Sequence, residues 1–401
     1  MGGNVTFLAL FSIYVTPIPQ YTITSTKQKR ILMTDAVAEP PRTTRTIVKE
    51  ISAEDLSLPG VRRAIPEDCF KPVAWKSWGT LIRVLLFGAL GVFTLHHFPV
   101  EAGWSLLWQI PVLLALWFVH GTILVGFFLV GHDAQHNSFS KTNWVNRLVG
   151  YFCLAPLFNG AHTWKLTHNI HHAYTQLRGQ DVDWNVNLVT EEEFKKLTWR
   201  KNFAIKLGYA MPFGIFFWIG RNTVRRGLAV RGQVGEKKYQ QEKWELLFSN
   251  FLMLVCTGLI YFLFWNYLGF WGMMKVHGIP IAFSALIGGV LVTIGHASEH
   301  SIIYDKKGWS PIRGQLASTY NYRMPRWIEW LVLNVNIHLP HHISTKIPWY
   351  KLKAASRAIR EAFPEHVMEK PLKWEDMTWT KKAPYLRYDQ NTGMYDQVPS
   401  V

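Results

Sequence analysis

Hydrophobic residues in this chain gather into long blocks parted by polar, cation-rich stretches, a pattern of membrane-crossing helices rather than of alternating strands. Leu81 to Phe98 and Trp104 to Val130 form one pair of blocks with only a few residues between them. Leu246 to Phe270 and Ile279 to Gly295 form a second pair, again closely connected. Each block is at or near the roughly 20 residues that span hydrocarbon. The expected fold is therefore an all-α integral membrane protein with four transmembrane helices arranged as two hairpins. Arg83, near the start of the first block, can reach back to the headgroups along its aliphatic stem. Two further apolar stretches, 148–158 and 207–219, are short or broken by proline and have polar flanks, which suits interfacial or re-entrant segments.

The polar connections set the orientation. Lys141 to Lys243 is rich in Lys and Arg, as is the chain beyond Asp305, whereas the hairpin tips carry little beyond Lys275. Positive residues favour the cytoplasmic side, so both termini and the central loop are expected there. Residues 1–63 read as an N-terminal extension, 64–363 as a membrane domain and 364–401 as a cytoplasmic C-terminal tail. Val5 to Val15 is apolar but too short to span a bilayer, and Met33 opens a polar lead, so residues 1–32 are expected to be dispensable.

Composition changes this picture little. Hydrophobic residues make up 49% of 401, and the formal charge is +16. The aromatic residues lie with the apolar runs rather than among the basic ones, so the charge fits an anionic lipid surface and no nucleic-acid partner is expected. Cys69, Cys153 and Cys256 are scattered and unpaired in pattern, as reduced structural thiols are.

The chemistry sits in the histidines. His132 and His136 lie in GHDAQH, His168, His171 and His172 in HNIHH, His338, His341 and His342 in HLPHH, and His296 in IGHASEH. Positions i, i+3 and i+4 share a helix face, so the rings of the first two segments can each aim at one point. Imidazole is a ligand of iron and related metals, and all nine residues fall on the cytoplasmic side of the expected topology. Nine donors exceed one tetrahedral zinc site, and no HExxH occurs, which argues against zinc proteolysis. Two iron ions account for the number, with no catalytic residue beyond the ligands. A transporter would group its ligands at mid-bilayer rather than at one interface. Asp133, about 100° around the helix from His132, suits a group orienting a histidine better than a ligand. His162 and His300 lie near the clusters but off their spacing, and are expected to support the ligands from behind or to lie at the surface rather than to bind metal. Pro340 prevents an uninterrupted helix through His338 and suits the first turn of a helix beginning there.

These segments resemble the three histidine boxes of the membrane fatty acid desaturases, HDxxH or HxxxH followed by two HxxHH. The resemblance runs from Ala64 to about Phe363. AIPEDCF at Ala64 to Phe70 is similar to the lead of the Δ12 and ω-3 branch, and NVNIHLPHHISTKIPWY, with PRWIEW ahead of it, to the cyanobacterial-type acyl-lipid Δ12 enzymes. The resemblance implies a diiron centre bound by the eight box histidines and His296. It implies O2-dependent insertion of a second cis double bond into an oleoyl-type chain of a membrane lipid, with ω-3 insertion or hydroxylation as alternatives on the same scaffold. A separate electron donor is implied, ferredoxin or cytochrome b5. This chain departs from the family in having Ala134 and Gln135 where Cys-Gly is common, and Val292 where the Δ9 branch carries an asparagine. A chain beginning at Met33 is expected to retain full desaturation in a lipid-analysis assay; loss of product would assign the leading residues a role.

Overall fold

The computed structural model describes residues 56–101, 103–182, 189–199, 230–296, 301–378 and 385–398. Residues 1–32 with Met33, the apolar stretch 207–219 and His300 lie outside them. A short helix α1 (Leu58–Ala64), capped by the Ser57 hydroxyl, leads through a 3-10 turn into α2 (Ala74–His97). Then follow α3 (Leu106–Gln135), α4 (Asn143–Leu154), α5 (Ala161–Ala173) and α6 (Glu191–Lys195). Next come α7 (Glu236–Met273) and α8 (Ile279–His296), joined by a π-helical turn, Met274–Gly278. Three helical stretches, Ala74–His97, Leu106–Gln135 and Glu236–His296, are long and apolar enough to cross a membrane.

The third stretch doubles back. In a straight helix, residues sixteen apart stand about 24 Å from each other, yet the rings of Tyr261 and His277 lie 5.3 Å apart. Gly269, at φ 68° and ψ 179°, leaves the helical region and allows the reversal. The chain thus reverses between α7 and α8 as it does between α2 and α3, in the order of the paired apolar blocks; α2 and α8 both pack against α3, while α7 packs against α5 and the turn at Ala155–Leu157. The apolar blocks understate the helices: α2 begins at Ala74, α7 at Glu236, and α3 continues through the first histidine segment to Gln135. Charged or polar residues end an apolar block without ending a helix.

Leu86, Leu90 and Phe93 of α2 and Phe251, Leu254 and Phe262 of α7 are well exposed. Apolar residues facing outward in such numbers suit hydrocarbon as solvent. Helix α3 lies at the centre, against α2, α4 and α8. It approaches α8 closely at Gly121, where a Cβ would stand 2.6 Å from the Phe283 Cβ and 3.0 Å from the Ser284 nitrogen.

The polar side of the bundle is covered by short elements. These are β1 (Ile303–Tyr304), β2 (Asn321–Arg323), α9 (Arg326–Leu331), α10 (Leu339–Ile343), α11 (Leu352–Ala362), β3 (Glu369–Pro371), α12 (Trp374–Thr378), β4 (Tyr385–Asp389) and β5 (Met394–Val398). An all-α reading is corrected here: β1, β5 and β4 form an antiparallel sheet in that order, and β2 pairs parallel with β3. Strands this short leave no clear period in the sequence; the pairings of β1 with β5 and of β2 with β3 are non-local, while β4 and β5 form a hairpin. The segment beyond residue 364 therefore folds back onto the cap through β3 and β5. Two apolar clusters anchor the cap. One joins α3 and α8 to Tyr322 and Leu333; the other joins Val61 of α1 to Leu339, Ile343 and Ile359.

Gly121→Ala is expected to lower stability by about 1–3 kcal/mol through overpacking. Gly79→Ala, where no neighbour lies within 4 Å, should be neutral or stabilising by up to about 1 kcal/mol. Thermal unfolding in detergent checks both.

Candidate metal centre

Four helices deliver histidines to one buried volume. Helix α3 carries His132, with His136 as its C-terminal cap; α5 carries His168, His171 and His172; α8 ends on His296; and α10 carries His341 and His342, with His338 at its N-cap. Pro340 occupies the first turn of α10, as the sequence led one to expect. Eight of the nine residues are buried and His172 is partly exposed.

The rings form two groups capable of holding metal: His132, His136, His168 and His341, and His171, His296 and His342, with donor atoms in each group within 4.8 Å of one another. His172 lies between the groups, its Nε2 3.1 Å from that of His168 and its ring centroid 4.3 Å from that of His342. His338 joins the second group through Nε2 contacts of 2.9 Å to His296 and 3.1 Å to His342. The expectation that the second segment aims all its rings at one point is corrected. His168 turns to one group and His171 to the other, because i and i+3 diverge by about 60° around a helix and the second group lies on the far side.

The tautomers make this arrangement a test of metal binding. His171 Nδ1 donates to Asp181 Oδ1 at 2.8 Å, and His342 Nδ1 donates to Gln315 Oε1 at 2.7 Å. With their protons held there, both rings present Nε2 lone pairs inward. Four Nε2 atoms then line up as His171, His296, His338 and His342, with contacts of 3.0, 2.9 and 3.1 Å. Only His296 and His338 can supply a proton, so three hydrogen bonds cannot all form without two protons or two lone pairs meeting head-on. A cation among converging lone pairs removes the conflict. In the other group, His136 Nε2 and His341 Nε2 are buried with no partner among the described residues. The residues fit a metal.

Electrostatics favours the neutral, ligating state. Burial first, then neighbouring imidazoles, push His136, His168, His172, His341 and His342 well below the usual histidine range. The same causes lower His338 to about 3. These rings are uncharged donors at neutral pH.

Surrounding groups hold the rings in place. Asp133 Oδ1 lies 3.2 Å from His132 Nδ1, and its Oδ2 accepts from the Trp349 amide at 3.0 Å. His162 instead faces away from the cluster, 3.1 Å from Glu242. Sequence reasoning missed four participants. Asp181 accepts from both His171 and the Gln176 amide; Gln315 also binds the His172 carbonyl; Gln176 donates to the His296 carbonyl at 2.6 Å; and Trp164 stacks on His168 at 4.4 Å. Asp181, Gln176 and Gln315 sit in loops or a π-turn, where helical spacing carries no signal. Trp164, four positions before His168 on α5, was legible as an i, i+4 neighbour. Gly295 also belongs to the site, since a Cβ there would stand 2.7 Å from the His338 ring.

Asp181→Ala is expected to weaken metal retention about 10–100-fold, as loss of a ligand-orienting carboxylate does. His162→Ala should leave it unchanged. Metal content after dialysis against a chelator distinguishes the two.

Comparison with known proteins gives this geometry a family. The fatty acid desaturase family model matches residues 102–371, which contain every histidine of the cluster. The chain is 29% identical to the sn-1 oleoyl-lipid 12-desaturase of Picosynechococcus sp. over 80% of its length and 88% of that protein. It is 27% identical to the chloroplastic omega-6 fatty acid desaturase of Spinacia oleracea, over 81% of this chain and 68% of that one. Identity to the sn-1 acyl-lipid omega-3 desaturase (ferredoxin) of Synechocystis sp. is 27%, over 86% and 92%. The match covers well over half of the 401 residues, and this chain, an oxidoreductase, belongs to the fatty acid desaturase family.

Proposed function

We propose that this desaturase converts oleoyl chains of membrane lipids into Δ9,12 dienes, using two irons held by His132, His136, His168, His171, His172, His296, His338, His341 and His342. The observation that carries the reading is the similarity, over most of both chains, to sn-1 oleoyl-lipid 12-desaturases of Picosynechococcus sp. and Synechocystis sp.. The preference for iron over zinc rests on the nitrogen spacing. For a metal–imidazole bond of about 2.1 Å, neighbouring ligands stand about 3.4 Å apart at tetrahedral angles and about 3.0 Å apart at right angles. The Nε2 contacts of 2.9 to 3.1 Å match the latter and favour more than four ligands per metal.

The bound irons supply oxygen activation strong enough to break an unactivated C–H bond. The protein supplies everything else. Asp181 and Gln315 keep the protons of His171 and His342 on Nδ1, so that Nε2 remains a donor throughout turnover. Burial of the rings and the packing of Trp164 on His168 exclude bulk water, which would otherwise consume the oxidant. The balance is one O2, two electrons and two protons, with two hydrogens from the acyl chain, to two waters and a cis double bond.

The long helices cross the membrane four times, with both termini and the metal centre on the cytoplasmic side. The cation-rich connections and the position of the histidines at one end of α3 and α8 support this orientation. The electrons come from a separate acidic carrier of the ferredoxin type, for which the net charge of +16 gives complementary attraction. The Synechocystis omega-3 relative is named for ferredoxin, and the same similarity supports ω-3 insertion as a second reading.

Expression in a host containing oleoyl but no polyunsaturated lipid, with a ferredoxin donor, tests the proposal. Mass-spectrometric mapping of double bonds should find Δ9,12 dienes, absent from a His171→Ala control. Product from supplied linoleoyl chains alone would transfer the activity to ω-3.

A further inference from the structure

Helix α5 has a second working face. Its histidines and Trp164 point into the metal centre, while Lys165, Asn169 and Ala173 line a cavity of about 1460 Å³ on the opposite side. That is larger than the roughly 300–1,000 Å³ of a small-molecule pocket. One wall is the end of α3 at Ala134, Gln135 and Asn137, flanking His136, so the cavity abuts the metal centre. Another is the polar face of α4, and the start of α7 closes a third side.

The wall charges are matched with one exception. Arg147 pairs with Glu245 at 2.7 Å, Lys238 with Glu242 at 2.5 Å, and Arg231 with Glu236. Glu245 also accepts from Tyr151 at 2.5 Å, and Glu242 faces His162, so both carboxylates are committed. Lys165 lines the cavity with no hydrogen bond or ion pair among the described residues. Burial lowers its pKa, with the charges of Glu245 and Glu242 acting in the opposite direction without forming an ion pair with it.

A second group is also unsatisfied. Gln135 is 4% exposed, and its Nε2 has no partner among the described residues. Its amide lies over Gly150, whose missing side chain leaves the room that a Cβ would fill. With no accessible surface and Gly150 beneath it, this amide nitrogen is packed into the seam between α3 and α4 rather than presented to the cavity.

Helix α4 sets how near the cavity lies to lipid. Its outer face exposes Trp144, Leu148 and Phe152 at i, i+4 and i+8, while Gly150 and Tyr151 are buried on the other. Such a helix lies in the membrane interface. The cavity is then one helix thickness, about 10 Å, from lipid.

We propose that this cavity seats the polar end of the lipid substrate, with Lys165 binding a net-negative glycerolipid headgroup. The assignment rests on the acyl-lipid reading above and adds a headgroup preference to it. Lys165 is a specificity-determining residue on a cavity that flanks His136.

The test uses the metal-loaded protein in nanodiscs containing equal amounts of dioleoylphosphatidylglycerol and uncharged dioleoyl monogalactosyldiacylglycerol. Lipid retained through detergent extraction is quantified by mass spectrometry. Wild type should retain the anionic lipid several-fold over the uncharged one, Lys165→Arg should keep this ratio, and Lys165→Gln should bring it to one. Lys237→Gln, on a residue outside the cavity, controls for a general loss of positive charge. Turnover should follow, with Lys165→Gln raising KM for the anionic lipid and sparing kcat. Equal ratios in wild type and Lys165→Gln would overturn the proposal. So would displacement of the lipid by millimolar inorganic phosphate, which would make Lys165 a free-anion site. Lys165-dependent retention without diene formation would sink the Δ12 reading and leave the cavity standing; dienes without headgroup preference would do the reverse.

Discussion

Nine imidazole rings must share one small volume uncharged, and the rest of this structure is arranged around that requirement. Each ring brings one proton, and each proton must be held away from the centre if the facing nitrogens are to act together. Asp181 and Gln315 do this for His171 and His342. Burial adds to this by making the protonated forms of His136, His168, His172, His338, His341 and His342 unfavourable. A site built in this way conflicts internally when empty and is relieved by cations, so metal binding and local stability are coupled.

The scaffold meets the requirement with helix ends and pinned loops. Helices α3 and α8 pass close at Gly121 and end on His136 and His296, bringing both to the same depth. The loop after α5 is less regular: Gln176 sits at φ 63°, which a side chain rarely adopts. It is held by the Asp181 carboxylate on its amide and by a pair of hydrogen bonds to Tyr304 of β1. β1 in turn pairs with β5, near the C-terminal end of the chain. The last strands therefore help fix a carboxylate that orients a histidine more than two hundred residues earlier.

Two faces of α5 divide the labour of the proposed enzyme. The inner face is apolar and imidazole-lined, where water would be harmful. The outer face is charged and open, where a lipid headgroup can be met. Separation by a single helix keeps the polar end of a lipid close to the centre without bringing its water in.

The sequence by itself indicated the apolar helices, the reversals between them and the nine histidines that the structure gathers. Both signals are local: a run of apolar residues and a ring recurring at helical spacing are each readable within one element. The proline in the third segment also declared its place, because a missing N–H is tolerated at a helix start and not inside. The tertiary structure decided how the histidines divide. The second and third segments each contribute to both groups, while His132 and His136 stay together, since ring direction around a helix has meaning only relative to its neighbours. It also chose Asp181 over His162 as a close partner of the cluster. His162 sits on the histidine-bearing helix yet faces outward to Glu242, whereas Asp181 lies in a loop whose path is set by strands from the far end of the chain. Helical periodicity records which residues share a face. It does not record what that face meets, because the partners are supplied by contacts between residues remote in sequence.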